Sequence, residues 1–156
     1  MELVVASYAD PVARKLIDEL QQEYVVRYGG PDETPVDPAE FAAPLGHFVV
    51  GRVDGEPVAC GGWRAHDASE PGFRDGDAEL KRMYVVPRAR NRGFARDLLA
   101  GLEASARAAG RRRMVLETGT AQPEALALYE SSGYEEIEKF GYYSCSESSR
   151  CFGKLL

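Results

Sequence analysis

Residues 78 to 99, AELKRMYVVPRARNRGFARDLL, constrain the fold more than any other stretch. AELKRMYVV reads as a central strand, and its ladder must stop at Pro87, which has no backbone donor. Beyond it, Phe94, Leu98 and Leu102 fall on one helical stripe with Ala95, Leu99 and Ala106 beside it, so a helix opens at about Gly93 and packs on the sheet. Four arginines, Arg88, Arg90, Arg92 and Arg96, crowd the point where strand gives way to helix. Cations there oppose the helix dipole at a cost of about 0.3 to 1 kcal/mol each, so that end calls for an anion. Unpaired amides, a glycine without a Cβ and charge-assisted bonds from arginine together suit a phosphate or diphosphate. The plainer alternative is a solvated cluster pairing with Asp97 and Glu103.

The rest of the chain alternates strands and helices. LVVAS reads as an opening strand, and a helix over 11 to 27 follows from Asp10 as N-cap, Pro11 at the first position and Val12, Leu16, Ile17, Leu20 and Tyr24 at helical spacing. Residues 29 to 46 are rich in Gly, Pro and Asp and predict a loop with one helical turn near 38 to 42. HFVVGRV and VACGGWRAH flank the turn residues Asp54 and Gly55 as a hairpin. After the central strand come a helix from about 93 to 109 closed by Gly110, a strand RMVLET, a short helix between Pro123 and Gly133, and the strands YEEIEKF and SRCFGKLL. With strands flanking every helix, the expected architecture is one α/β domain over residues 1 to 156 with a mixed sheet.

Composition narrows the function. A net charge of -6 argues against a general nucleic-acid binder, so the arginines mark a local site. MELVVASYADPVARKL lacks the pattern of a signal peptide and no run is long enough to span a membrane, which predicts a cytoplasmic protein. Three cysteines without a CxxC pair and two histidines without ligand spacing predict neither a disulfide framework nor a metal site. Cys60 reads as a packed thiol, and His47 and His66, having no visible partner, read as structural or surface residues. There is no G-x-x-x-x-G-K-[ST] and no G-x-G-x-x-G after a strand, which sets aside P-loop and dinucleotide folds.

RNRGFA, Arg90 to Ala95, has the R-x-x-G-x-A form of an acetyl-CoA loop, and this region resembles the GCN5-related N-acetyltransferase (GNAT) superfamily. AELKRMYVVP upstream is similar to that family's fourth strand, and QPEALALYESSGY downstream to its N-x-x-A-x-x-L-Y-x-x-x-G-[FY] segment, with Gln122 in place of the usual Asn. The three motifs stand in the family's order over residues 78 to 134. Asn91 departs from the common glycine, though Asn tolerates positive φ better than most residues.

The resemblance implies a mixed, mostly antiparallel sheet flanked by helices and splayed between its fourth and fifth strands, with acetyl-CoA as co-substrate in the gap. On that basis the backbone at Tyr84, Val85 and Val86 holds the pantetheine arm, and the loop Arg90, Asn91, Arg92, Gly93, Phe94, Ala95 and Arg96 holds the diphosphate. Gln122 approaches the pantetheine or phosphate region. Direct acetyl transfer to a primary amine needs a base for the ammonium and an acid for the departing sulfur. Glu79 is the expected base, directly or through water, its alternative being a strand glutamate paired with Lys81 or Arg82. Tyr129 is the expected acid, its alternative being a core aromatic on the stripe Ala125, Leu128, Tyr129. A backbone amide near Val85 is expected to meet the carbonyl oxygen. A CoA-binding module without catalysis would need neither Glu79 nor Tyr129, and an RNA-binding domain would use RARNR with GRRR at 110 to 113.

The acceptor, a small molecule or a protein amine, is expected among loops 29 to 46 and 66 to 77. Arg64 and Arg82 suit a carboxylate, whereas Asp67, Glu70, Asp75 and Asp77 suit a cationic amine, so amino-acid-like and polyamine-like acceptors both stay open. FGYYSC offers an edge for contact between two copies.

Overall fold

The computed structural model describes residues Met1–Leu156. Seven strands form one sheet in the order β1-β2-β3-β4-β5-β7-β6. They are β1 (Glu2–Val5), β2 (Gly46–Val53), β3 (Glu56–His66), β4 (Asp77–Val85), β5 (Arg113–Gly119), β6 (Glu135–Ile137) and β7 (Ser149–Leu155). Helices α1 (Pro11–Tyr28), α2 (Phe94–Ala108) and α3 (Pro123–Ser131) pack against it. No helix is long and apolar enough to cross a membrane.

Local chemistry sets these boundaries. Asp10 accepts from the amides of Val12 and Ala13 at 2.9 and 3.3 Å to open α1, and Gly29 closes it at φ 81°. The expected helical turn after it is a 3₁₀ turn, Pro38–Phe41, held by reciprocal bonds between Asp37 and Glu40. Asp54 and Gly55 take φ of 50° and 80°, the two positive values that a tight hairpin between β2 and β3 requires. Asp10, Gly29 and these two turn residues are of the types that favour these boundaries.

Every neighbouring pair of strands is antiparallel except β4 and β5. These run parallel for three pairs, Asp77↔Arg113, Ala78↔Met114 and Glu79↔Val115, and then part. Two features cause the splay. At the closed end Arg113 donates twice to the buried Asp77 carboxylate, both bonds 2.7 Å, which pins the strands together. Further along, Cys60 pairs with Tyr84 but Gly62 pairs with Lys81, so Arg82 and Met83 together oppose Gly61. Arg82 sits at φ 58° within this bulge, and the extra residue bends β4 away from β5. The main core cluster, with Trp63, Phe48, Leu98, Leu99, Leu102 and Met114 wholly buried, holds the bent strand against α1 and α2.

Candidate active site

The open end of the splay leads into two adjoining cavities. The first, about 420 Å³, lies between the end of α1, residues 29 to 33, the end of β5 and residues 143 to 149. The second, about 330 Å³, is the cleft between β4 and β5, floored by Leu80 and Leu116 and running to the N-terminus of α2. Tyr24, Asp32, Lys81, Glu117, Thr118 and Gln122 line both. Each volume is in the range of small-molecule sites.

The basic loop has the geometry of an anion cradle. Pro87–Ala89 form a 3₁₀ turn, Asn91 takes φ 61° and Gly93 φ 82°. The first bond of α2 is Asp97 N to Gly93 O at 3.1 Å, so the amides of Gly93, Phe94, Ala95 and Arg96 have no partner within the chain. Asn91 adopts the positive φ that its side chain tolerates, so the turn forms without the family's glycine there. The arginines do not pair with Asp97 or Glu103. Glu103 is taken by Lys154 at 2.8 Å, Arg90 pairs with Glu23, Arg96 donates to Ser131 and Ser132, and Arg92 lies 4.7 Å from the Phe94 ring centre. Arg88, Arg92 and Arg96 carry no ion pair.

Tyr84 and Val85 line the cleft, and Val86 does not. Its amide donates to Val58 O at 2.9 Å. Successive amides on a strand point to opposite edges, so the Val85 amide faces the splay. Tyr129 also lines the cleft, and only 7% of it is exposed. Its ring meets Tyr134 edge-on at 5.7 Å, and its hydroxyl bonds to nothing within the chain. Burial raises its pKa well above the ordinary tyrosine value, which keeps the proton on the oxygen. Gln122 stands at the N-cap position of α3 at the junction of the cavities, where its Oε1 accepts from Tyr28 Oη at 3.0 Å.

Glu79 is placed differently from its expected role. It lines neither cavity, is 3% exposed, and accepts from Arg64 Nε and His66 Nε2, each at 2.8 Å, with Lys81 Nζ at 3.7 Å. Burial opposes its charge, but His66, Lys81 and Arg64 reverse the effect and hold the carboxyl down at about 2. Such a carboxylate is a weak base. His66, read from sequence as having no partner, is bonded to Glu79 through one ring nitrogen and to Glu70 through the other. Two carboxylate partners require two N–H donors, hence an imidazolium. Burial disfavours that form, yet the bonds and charges of Glu79 and Glu70 leave its pKa raised.

The expected acceptor-binding arginines are already engaged. Arg64 also bonds Pro35 O at 3.0 Å and Glu40 at 3.1 Å and lines neither cavity. Arg82 donates to Tyr8 Oη at 3.1 Å and to Asp32 at 2.5 Å. The acidic loop residues are likewise occupied: Asp77 by Arg113, Glu70 by His66, and Asp67 and Asp75 by amides of their own loop. Residues 66 to 77 do not reach the first cavity, whose far wall is 143 to 149. Glu117, not singled out from sequence, stands at the junction instead.

A profile of the acetyltransferase (GNAT) family matches residues 14–134. The chain belongs to the GNAT family. An IAA acetyltransferase of Azospirillum brasilense is 36% identical over 129 residues, covering 83% of this chain and 80% of that one. A solved structure assigned as an acyl-CoA N-acyltransferase from Klebsiella pneumoniae superposes with a TM-score of 0.79 at 28% identity, over 99% of this chain and 97% of that one. A GNAT acetyltransferase from Elizabethkingia anophelis, solved with acetyl-CoA bound, gives 0.68 at 15% identity over 99% and 97% of the two chains. This GNAT protein is an acetyltransferase that uses acetyl-CoA as co-substrate.

Proposed function

We propose that this GNAT enzyme acetylates a cationic primary amine seated in the first cavity, with acetyl-CoA lying in the β4/β5 cleft. The observation that carries the reading is the shared wall of the two cavities, which lets an amine in one meet a thioester in the other. Only one cation, Lys81, lines the first cavity, and it is already paired with Asp32 at 3.4 Å, while Asp32, Glu33 and Glu117 supply carboxylates. That balance favours an ammonium without a neighbouring carboxylate, closer to a polyamine than to an amino acid.

Acetyl-CoA when bound supplies an activated acyl group on a tolerable leaving group. The amides from Asn91 to Arg96 hold the diphosphate, with Arg92 and Arg96 beside it. The backbone of Tyr84 and Val85 runs along the pantetheine arm, and the Val85 amide donates to the carbonyl oxygen as negative charge grows there. Tyr129 donates its proton to the sulfur. Gln122 braces the wall between the two sites, and Glu79 works by position, anchoring Lys81 and favouring the charged form of His66. The catalytic unit spans residues 1 to 156, because β7 lies beyond the family match yet inserts between β5 and β6.

A panel of polyamine-like and amino-acid-like amines, assayed by release of CoA thiol, tests the reading. The highest kcat/KM is expected for amines that lack a carboxylate. Preference for carboxylate-bearing amines would overturn the acceptor assignment.

A further inference from the structure

We propose that Glu117 is the general base that takes the proton from the acceptor ammonium, a role that rests on the acetyl-transfer reading above. Three structural facts lead there. Glu117 lies two residues past the last parallel pair, Glu79↔Val115, so it is on the part of β5 that has left β4 and faces the opening. It lines both cavities, so it stands where an ammonium in the first meets the acyl group in the second, within reach of the proton to be removed. Its Oε2 is buried and makes no hydrogen bond of ordinary geometry; the one hydroxyl close enough to act on it, Ser149 Oγ, is likewise unpaired. A carboxylate kept only for packing would be expected to have its oxygens satisfied, since an orphaned buried acceptor is costly. An incoming ammonium is the donor that this oxygen lacks.

The groups around it set its proton affinity. Glu79 and Lys81 act on it from β4, Asp32 from the loop after α1 and the Ser149 hydroxyl from the start of β7, where Cys151 holds the paired position. Tyr24, Tyr28 and Tyr143 close the cavity wall. Burial, opposed by Lys81 and the Ser149 hydroxyl and reinforced by Asp32 and Glu79, pushes the Glu117 carboxyl up to about 7. Asp32, the other carboxylate on the shared wall, goes the opposite way: burial opposes its charge, but Lys81 and Arg82 hold its pKa far below the ordinary range. A base works best with a pKa near the working pH, and on the shared wall Glu117 meets that condition.

The step balances as follows. Glu117 takes one proton from R–NH3⁺, and the freed lone pair forms the N–C bond as the C–S bond breaks. Sulfur leaves with the bonding pair and takes the Tyr129 proton. The nitrogen's second surplus proton restores the tyrosine, and Glu117 returns its own to solvent, so one proton is released per acetyl group.

Glu117→Gln is compared with the wild type and with Glu79→Gln. At neutral pH, with an amine of high pKa, Glu117→Gln is expected to lower kcat/KM by about 10²- to 10⁴-fold, the loss shrinking as pH rises and free amine accumulates. The acetyl-CoA-induced melting shift should be unchanged. A second readout needs no substrate. A carboxyl whose pKa is raised on folding destabilises the fold once pH exceeds that pKa and does not below the unfolded value, so Glu117→Gln should raise the melting temperature at pH 8 and lose the advantage by pH 5. Wild-type turnover in Glu117→Gln with chemistry rate-limiting, or a melting difference that does not vary with pH, overturns the proposal. So does a Glu79→Gln profile that reproduces the whole pH-dependent loss while Glu117→Gln does not. Should the wild type acetylate no amine, the acetyl-transfer reading fails, while the pH dependence of melting still reports whether Glu117 holds its proton.

Discussion

At the scale of single residues, the site divides into groups that are free to act and groups that are locked. Tyr129 is free: its hydroxyl has no partner and its proton is firmly held. Tyr129→Phe keeps the ring against Tyr134, so stability should change little. Turnover should fall about ten- to a thousand-fold with acetyl-CoA binding nearly intact, because the contact matters as charge develops on sulfur. Normal turnover in the Phe variant, with chemistry limiting, would remove the acid role. Glu79 is locked, and its pKa is depressed on folding to about 2, so its stabilisation is present above the unfolded value of 4.5 and is lost as pH falls through 2. His66 has the opposite sign: its stabilisation is complete below 6.5 and is lost as pH rises through its raised folded pKa. Glu79→Gln should therefore destabilise the fold at neutral pH and bring the His66 titration down, which NMR of the ring nitrogens would detect; an unmoved His66 titration would show that Glu79 does not hold it charged. Neither the His66 pair nor Glu117 was legible in the sequence. His66 and Glu79 are separated by a loop and meet only because β3 and β4 pair, and Glu117 becomes important only where β5 leaves its neighbour.

Secondary-structure elements were far more legible, because caps, turn glycines and period changes are local. Asp10, Asp54, Gly55, Gly93 and Gly110 each stand where the backbone requires their chemistry. The splay itself was expected only through resemblance, and its physical cause is distributed over two strands: a bulge at Arg82 and Met83 and a clamp at Asp77 and Arg113. The clamp carries a prediction. Asp77 is wholly buried, so Asp77→Ala leaves Arg113 uncompensated in the interior and should cost about 3 to 5 kcal/mol in denaturant unfolding. Since the clamp lies at the closed end, the acetyl-CoA cleft should lose affinity as β4 and β5 are released. A variant with wild-type stability would mean that the parallel pairing is held elsewhere.

At the scale of the whole molecule, ligand and fold are linked: whatever binds the native state alone stabilises all of it. Acetyl-CoA at about 100 times its dissociation constant should add about 2.7 kcal/mol. For a chain of this length that corresponds to a rise of roughly 5 to 10 °C in melting temperature. NAD and ATP should give much less, since neither carries a pantetheine arm for the β4/β5 gap. Gly93 decides whether the shift arises at the anion cradle. A Cβ built on Gly93 meets nothing within 4 Å, so Gly93→Val creates no internal clash, although its φ of 82° strains a β-branched residue. The strain lowers the melting temperature of the free protein, but it does not by itself change the increment that acetyl-CoA adds. That increment should nearly vanish in Gly93→Val, because the added methyls occupy the space through which the diphosphate approaches the unpaired amides of α2. A Val variant that melts lower yet gains the full wild-type increment would place the diphosphate somewhere other than the N-terminus of α2.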